Sequence, residues 1–244
     1  MIVPCYNEQD MITYTVPHLA NAFTKSGYRL QLVLVDNGSS DDTGAIIGAL
    51  CEQYPLIVSH RVEINEGYGH GILSGLSLCT AAWIGIIPAD GQIDAEDVVR
   101  LYEAVRATPG NVVGKVRRRF RMDGMRRKIV SVTYNIFFRL LWPSIRSVDV
   151  NGTPKILPRH AIMNMRLQSK GWMLDPEIMV KGHYLGLNVL EFNAFGRMRS
   201  MGTSQVRPSS CWEFFWQLLR ARITGHWRRQ IVASLDEAAL PAVR

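Results

Sequence analysis

The feature of this chain that most restricts its fold is the alternation of apolar, strand-like runs with helix-like segments over the first 107 residues. Each run rich in Val, Ile and Leu is followed by a longer segment with apolar residues at helical spacing. The strand-like runs lie at 1–3, 30–35, 56–62 and 83–87, and the helix-like segments near 10–26, 43–54, 70–82 and 95–107. Because alternating strands and helices form a mostly parallel sheet with helices on both faces, we predict an α/β fold.

The rest of the chain carries fewer regular signals. Apolar residues at helical spacing predict a helix before Pro143, short strands are predicted near 147–157 and 186–193, and a last helix has an aromatic stripe. The apolar residues of the helix before Pro143 are Ile129, Val132, Ile136, Phe137 and Leu140. The aromatic stripe of the last helix comprises Trp212, Phe215, Trp216, Leu219, Ile223 and Trp227. We expect one domain in two parts, 1–110 and 111–205, then an amphipathic helix at 206–230 and a flexible tail at 231–244.

Three polar clusters follow strands of the predicted sheet, at 4–8, 36–43 and 88–92. The carboxyl ends of parallel strands form the crevice in which open α/β sheets bind ligands. Asp36 follows a fully apolar strand, where a carboxylate can accept hydrogen bonds from a ribose or a base, although a helix-cap role explains it equally well. Glu8 is also explained by the favourable field at a helix N-terminus. The ordered set is more specific than its members.

The third cluster contains a candidate metal site. Asp90 and Gln92 are two residues apart on a loop, so both side chains can offer oxygen ligands to a hard cation. Mg²⁺ or Mn²⁺ takes few protein ligands and completes its coordination with water and phosphate oxygens. An Asp-Gly pair alone is more often only a turn.

The glycine-rich segment 65–71 can bring backbone N–H groups close to a phosphate or a base. It does not match the dinucleotide-binding pattern G-x-G-x-x-G, because Ile72 occupies the last glycine position, and the chain has no G-K-[ST] sequence. Dinucleotide oxidoreductases and P-loop NTPases therefore lose their main support.

Charge is distributed unevenly along the chain. Residues 1–110 contain 5 Lys and Arg against 13 Asp and Glu, a net charge of −8, and residues 111–244 contain 23 against 8, a net charge of +15. The acidic part suits metal-assisted nucleotide binding, and the basic part suits phosphates, anionic lipid headgroups or nucleic acid. Solvated basic faces explain part of this charge as well.

Cysteine spacing and hydropathy bear on the compartment. The four cysteines lie far apart and form no C-x-x-C pair, so neither a disulfide framework nor a zinc site is indicated and a reducing compartment is expected. Uninterrupted apolar runs stay well short of the roughly 20 residues that span a bilayer. We expect the chain not to cross a membrane by itself.

The motifs V-P-C-Y-N-E, V-D-N-G-S-S-D-D-T, N-E-G-Y-G-H-G and P-A-D-G-Q occur in this order over the first 110 residues. Together they resemble the family-2 glycosyltransferases of GT-A fold, a Rossmann-like α/β architecture. Later residues resemble the dolichol-phosphate mannosyltransferase branch of that family, including its polyprenyl-phosphate relatives. The stretches that carry this second resemblance are 117–119, 126–131, 149–155, 175–177, Glu191 and 197–204.

The resemblance implies a role for residues in three groups: those that contact the donor nucleotide sugar, those that hold the metal, and those that approach the acceptor phosphate. The donor group is Pro4, Tyr6, Glu8, Asp36, Asn65, Gly67 and Ala89, with Arg199 and Ser204 near the diphosphate; the metal group is Asp90 and Gln92; the acceptor group is Arg117, Arg127 and Ser131. Asp90, Arg117, Arg127 and Ser131 are the expected catalytic residues.

Two positions depart from the family pattern. The metal loop usually reads D-x-D-x-Q, and Pro88 replaces its first acid here; Asn37 replaces the second acid of V-D-D-G-S. Asp36, Asp90 and Gln92 are all retained. We expect Pro88 to weaken the affinity for the metal, or to leave more of the metal's coordination to Gln92 and the diphosphate.

The expected reaction is an inverting, metal-dependent transfer of mannose or a glucose-like sugar from GDP-mannose or a UDP-sugar to a polyprenyl or dolichyl monophosphate. Such a phosphate is largely dianionic at neutral pH and needs no general base. A sugar hydroxyl would need one, such as Asp175 or Glu177. The C-terminal helix would lie in the headgroup layer, on the cytoplasmic face, unless its aromatic stripe packs on the domain instead.

Two other classes stay open from the residues alone. A basic nucleic-acid-binding module is disfavoured because the basic clusters lack interleaved aromatic residues, so no nucleic-acid partner is expected. A catalytically impaired relative that serves as a scaffold is made possible by Pro88. An integral membrane protein that receives a lipid-linked product is a possible partner.

Overall fold

A seven-stranded sheet organises the protein in this computed structural model, which describes residues 1–118, 125–194 and 209–239 and, at 118, 125–128, 209–211 and 237–239, the backbone alone. The strands are β1 (Ile2–Cys5), β2 (Leu32–Asn37), β3 (Ile57–Val62), β4 (Trp83–Ile86), β5 (Val112–Arg118), β6 (Lys155–Pro158) and β7 (Asn188–Ala194). Their order is β3-β2-β1-β4-β6-β5-β7. Only β6 is antiparallel to its neighbours β4 and β5 among these strands. The predicted mostly parallel α/β sheet is confirmed.

Nine helices of the described ranges cover the two faces of this sheet. They are α1 (Gln9–Lys25), α2 (Thr43–Gln53), α3 (Tyr68–Leu76), α4 (Ala95–Ala107), α5 (Met125–Leu141), α6 (Arg159–Asn164), α7 (Leu174–Tyr184), α8 (Ser209–Thr224) and α9 (His226–Ala239). Helices α1, α2 and α4 pack on one face, and α3 and α5 to α9 contribute to the core on the other. The strand β2 is buried on both sides, as its continuous apolar sequence predicts.

The order of strands places the predicted ligand-binding loops together. Strands β2, β1 and β4 are neighbours and point the same way, so their carboxyl ends meet at one edge of the sheet. Asp36 lies in β2, near that edge, and Asp90 follows β4. The three polar clusters therefore converge as the alternation predicted.

The second half differs from the sequence prediction in several elements. Strand β5 and helices α6 and α7 were not predicted, and of the predicted strand at 147–157 only the end is strand, in β6. Helix α3 ends at Leu76 rather than near 82. The last predicted helix is broken at Gly225, whose φ of +59° is left-handed, and helical structure continues in α9 beyond residue 230.

Candidate active site

The loops that follow β1 and β2 are joined by hydrogen bonds. The backbone N–H of Asn7 donates to the hydroxyl of Ser39 at 3.1 Å, and that of Glu8 donates to the hydroxyl of Thr43 at 2.9 Å. Because Thr43 begins α2, these bonds fix the two polar clusters against each other. Pro4 and Tyr6 lie half-buried beside this junction, in and directly after β1.

Asp36 does not cap α2, whose N-cap residue is Asp42, and its contact with a ligand stays a prediction. Its Oδ1 accepts a hydrogen bond from the backbone N–H of Ser39 at 2.9 Å, which is the local turn role. Its Oδ2 is buried and has no hydrogen-bond partner among the described residues, while the guanidinium of Arg61 on β3 lies 3.7 Å away. A buried carboxylate oxygen without a donor is costly, so this atom is suited to accept a hydrogen bond from a ligand.

The loop after β4 forms the candidate metal site. Asp90 is only 8% exposed, and its Oδ1 accepts a hydrogen bond from the backbone N–H of Gln92 at 3.2 Å. Both residues line one small cavity together with Pro88 and Thr153. Within the described residues there is no group of three His, Cys, Asp or Glu side chains that could hold a metal. Asp90 and Gln92 could therefore supply only a minority of the ligands of Mg²⁺ or Mn²⁺, and water and phosphate oxygens would supply the others.

Thr15 supports this loop and was not singled out from the sequence. Its hydroxyl, on the buried face of α1, donates to the carbonyl of Ala89 at 2.8 Å. The signal was present, because Thr15 is a polar residue in a stripe of buried apolar residues such as Ile12 and Val16. The loop that carries Asp90 is therefore anchored to the helix that follows β1.

The glycine-rich segment 65–71 contacts protein. The backbone N–H of His70 donates to the carbonyl of Lys170 at 2.7 Å, and a Cβ on Gly67 would lie 2.8 Å from the same oxygen. A Cβ on Gly69 would overlap the neighbouring carbonyl of Ser169. These glycines permit close contact with the loop before α7, and the predicted approach of Asn65 and Gly67 to a donor stays a prediction.

The residues predicted to approach the acceptor phosphate belong to the other half of the sheet. Arg117 lies near the end of β5 and is half-buried, and Ser131 lies half-buried in α5. Arg127 is on the same helix four residues before Ser131, and its side chain is outside the described residues, as are Arg199 and Ser204 entirely. The roles assigned to these five residues stay predictions.

The buried ammonium group of a lysine in β5 contacts β7 and residues 147–149. Lys115 of β5 is fully buried and donates to Glu191 of β7 and to the hydroxyl of Ser147, each at 3.2 Å, and to the carbonyl of Asp149. Burial lowers the pKa of Lys115 to about 8, an effect that Glu191 opposes. The sequence indicated Glu191 by resemblance alone, and a lysine in a strand gave no sign of burial.

Two more buried lysines pair with the acids at the start of α7. Lys155 donates to Asp175 at 2.5 Å, and Lys181 lies 2.6 Å from Glu177. Asp175 is 4% exposed and Glu177 is fully buried. Burial lowers the pKa of Lys181, against the effect of Glu177. Both acids are therefore engaged by buried ammonium groups.

Comparison with known proteins identifies the family and the fold of this chain. The family model described as "Glycosyl transferase family 2" matches residues 1–167, more than half of the chain. The chain belongs to glycosyl transferase family 2. A solved structure of glucosyl-3-phosphoglycerate synthase from Mycobacterium tuberculosis, in complex with Mn²⁺, UDP and phosphoglyceric acid, has a TM-score of 0.65 at 17% identity, covering 99% of this chain and 78% of that one. The GT-A fold is thereby confirmed.

Two curated relatives of this family 2 member carry names of lipid-phosphate transferases. Dolichol-phosphate mannosyltransferase of Pyrococcus furiosus is 25% identical over 228 residues, which is 90% of this chain and 62% of that protein. Undecaprenyl-phosphate 4-deoxy-4-formamido-L-arabinose transferase of Sodalis glossinidius is 34% identical over 139 residues, which is 55% of this chain and 41% of that protein. The chain thus spans about half the length of these relatives.

The Asp36→Asn variant tests the nucleotide role of Asp36. We expect the dissociation constants of UDP or GDP to rise by about ten- to a hundredfold, because a hydrogen bond to a charged group is worth roughly 1.5 to 3 kcal/mol. Calorimetric titration measures this, and urea unfolding should show a folded state at least as stable as the wild type. Unchanged nucleotide affinity would leave Asp36 only its turn role.

Proposed function

We propose that this family 2 glycosyltransferase transfers a sugar from a nucleoside diphosphate sugar to a polyprenyl monophosphate at a membrane surface. The observation that carries the proposal is the pairing of Asp175 and Glu177 with buried lysines. A hydroxyl acceptor would need a base, and these two candidates are engaged. The names of the relatives, dolichol-phosphate and undecaprenyl-phosphate transferases, support the same acceptor class.

A phosphate acceptor, unlike a hydroxyl acceptor, does not require a general base from the protein. A dianionic phosphate is already a nucleophile, so its attack on the anomeric carbon and inversion there require positioning and charge neutralisation. Arg117 and Arg127 would bind the acceptor phosphate, and Ser131 would orient it. The net charge of +15 beyond residue 110 fits that task.

The donor would lie across the carboxyl ends of β2, β1 and β4. Asp36 would accept a hydrogen bond from the nucleoside, and Asp90 with Gln92 would hold Mg²⁺ or Mn²⁺ against the diphosphate. When bound, the cation would neutralise charge on the departing nucleoside diphosphate. The M. tuberculosis synthase of the same fold was solved with Mn²⁺ and UDP, which supports a divalent cation and a nucleotide donor as ligands of this fold.

The deciding experiment is transfer of radiolabelled sugar from a panel of GDP- and UDP-sugars to a short polyprenyl phosphate, with Mg²⁺ or Mn²⁺. A lipid-soluble product supports the proposal and names the donor. Phosphoglyceric acid is included as a second acceptor, because the structurally similar synthase binds it. Product on that acceptor alone would overturn the lipid acceptor, and no nucleotide binding would favour the impaired-relative alternative.

An exposed apolar surface on α5 and α8 supports the membrane location. The two predicted stripes are only partly core: Trp227 is buried, and Phe215 is half-buried with its ring 5.1 Å from that of Phe137. Seven other large side chains of the stripes are between 48% and 79% exposed, while Phe137 and Leu219 are half-buried. This membrane-facing surface comprises Ile129, Val132, Ile136 and Leu140 of α5 and Trp212, Trp216 and Ile223 of α8. Exposed arginines of α8, Arg220 and Arg222, suit anionic headgroups.

In the described residues no helix combines the length and the apolar character needed to span a bilayer. Contact through the membrane-facing surface would be peripheral, and we place it on the cytoplasmic face. The cysteines whose side chains the structure describes, Cys5, Cys51 and Cys79, are free thiols. A separate integral membrane protein would then receive the lipid-linked product.

The double variant Trp212→Ser/Trp216→Ser tests the membrane-facing surface. We expect binding to vesicles containing anionic lipid to weaken by about ten- to a hundredfold, since partial burial of two indoles is worth roughly 1.5 to 3 kcal/mol. Vesicle co-sedimentation measures the effect. The control is Leu56→Ser, which removes an exposed apolar side chain outside this surface. Equal loss in the control, or no loss in the double variant, would contradict the assignment.

A further inference from the structure

Thr153 lies beside the candidate metal site, on the segment that leads into β6. It is 6% exposed and lines the same small cavity as Asp90, Gln92 and Pro88. The structure shows no hydrogen bond between its hydroxyl and another described residue. The other threonine of this cavity, Thr15, donates its hydroxyl to the metal loop, as described above. Thr153 therefore offers a hydroxyl to this cavity that the described protein does not use.

The pairing of β4 with β6 explains why Thr153 is at this place. The two strands are antiparallel, and Ile86 lies opposite Lys155. The same register, continued by two residues, puts Pro88 opposite Thr153, and both residues line the cavity. Residues opposite each other in an antiparallel pair project to the same side. Thr153 is thus the neighbour of the position at which the usual metal loop has its first acid.

The backbone around Thr153 is fixed by contacts that do not involve its side chain. The carbonyl of Pro154 accepts a hydrogen bond from the backbone N–H of Val116 at 3.1 Å. The carbonyl of Gly152 accepts from the buried ammonium of Lys155 at 2.9 Å. A Cβ on Gly152 would overlap the carbonyl of Val116, so the chain passes closely along β5 there. The hydroxyl of Thr153 is not needed to hold this segment in place.

We infer that the Thr153 hydroxyl is a third protein oxygen at the cation site, in place of the acid that is absent at Pro88; this rests on the part of the proposed function that places Mg²⁺ or Mn²⁺ at Asp90 and Gln92. A threonine hydroxyl is a suitable Mg²⁺ ligand beside phosphate oxygens. In a side chain this buried, a hydroxyl without a protein partner costs free energy unless a ligand or water contacts it. Because this third oxygen is neutral, the cation should bind firmly only together with the nucleoside diphosphate.

The test measures Mn²⁺ binding by its paramagnetic resonance signal with saturating UDP or GDP and without any acceptor. Thr153→Val removes the hydroxyl and keeps the shape of the side chain, whereas Thr153→Ser keeps the hydroxyl. We expect Thr153→Val to raise the Kd of Mn²⁺ by about tenfold and Thr153→Ser to change it by less than about twofold. The control is Thr24→Val, at an exposed position of α1 where the hydroxyl donates to the carbonyl of Ala20. It should match the wild type.

Two further measurements separate a metal role from a structural role. Urea unfolding of Thr153→Val without metal should give a free energy of unfolding no lower than that of the wild type, because a methyl group replaces a hydroxyl without a described partner. In a Pro88→Asp background, Thr153→Val should change the Kd of Mn²⁺ by less than about twofold, since the added carboxylate supplies the oxygen.

The contrary results are distinct. Unchanged Mn²⁺ affinity in Thr153→Val, or a wild type that binds no Mn²⁺ with either nucleotide, would overturn the inference. A less stable Thr153→Val without metal would make the hydroxyl structural. An equal loss of affinity in both backgrounds would show that Thr153 does not replace the acid. If the wild type binds Mn²⁺ as expected but transfers no sugar to polyprenyl phosphate, the proposed acceptor fails and the role of Thr153 stands.

Discussion

Asp90→Asn is expected to lower the rate of sugar transfer by roughly a thousandfold, because a catalytic cation supplies several kcal/mol of transition-state stabilisation. Among the described residues that line the cavity of the metal loop, Asp90 is the single carboxylate, and Pro88 offers no oxygen side chain in the position of the first acid. The amide retains the shape and the hydrogen bond from Gln92, so folding should be preserved. The rate is measured with the donor identified by the transfer panel.

A second measurement separates loss of the cation from loss of activity for another reason. Binding of Mn²⁺, followed by its paramagnetic resonance signal, should require UDP or GDP in the wild type and should weaken in Asp90→Asn. Pro88→Asp should allow Mn²⁺ to bind without nucleotide, since two carboxylates then face the same cavity. Asp10→Asn, at an exposed position in the first turn of α1, is the matched control. A tenth or more of the wild-type rate in Asp90→Asn would remove Asp90 from the catalytic residues.

The first half of the fold was predictable because its physical signals are local. Strand β2 is buried on both faces and therefore reads as a continuous apolar run, and α4 shows a regular apolar stripe whose observed bounds match the prediction. The polar clusters follow from these elements, since they occupy the loops at one edge of the sheet. The sequence alone therefore predicts that Asp36, Asp90 and Gln92 lie at that edge.

The second half was less predictable because its charges are buried. Strand β5 contains Lys115, whose ammonium group is satisfied by residues more than 30 positions away, and a single sequence does not show such partners. Helix α7 is buried on all sides from Leu174 to Gly182, and its charged residues Glu177 and Lys181 form an ion pair with each other. Its sequence therefore lacks the alternation of apolar and polar faces that is typical of a half-buried helix. The apolar stripe of α5 correctly predicted a helix. The sequence did not show which side of that helix is buried: most of the stripe is exposed, whereas Phe138 is buried.

Residues 65–71 show the limit of motif interpretation. A glycine-rich turn is compatible with a phosphate or with protein backbone, because both require the absence of a side chain. Only the tertiary structure shows that residues 169–171 occupy the space beside Gly67 and Gly69. Helix α3 begins at Tyr68, directly after Gly67, whose φ of +117° is one that residues with a side chain rarely adopt.

Glu177→Ala is expected to have the largest effect on stability, lowering the free energy of unfolding by about 3 to 5 kcal/mol, as for a buried ion pair that loses one partner. The substitution leaves the ammonium of Lys181 buried with the carbonyl of Arg166 as its remaining hydrogen-bond partner in the described structure. It also removes the acceptor of the N–H groups of Gln168 and Ser169. Urea unfolding followed by circular dichroism measures the change.

The compensating double variant Glu177→Gln/Lys181→Met shows whether the unpaired charge is the cause. Replacement of both partners of a buried pair is often close to neutral, and the glutamine carbonyl can still accept a hydrogen bond from the backbone of Gln168 or Ser169. We therefore expect the double variant to lie within about 1.5 kcal/mol of the wild type and above Glu177→Ala. If the double variant is as unstable as Glu177→Ala, then packing of the side-chain stems outweighs the charges. If Glu177→Ala costs less than about 1 kcal/mol, water reaches Lys181 and the carboxylate is not its essential partner.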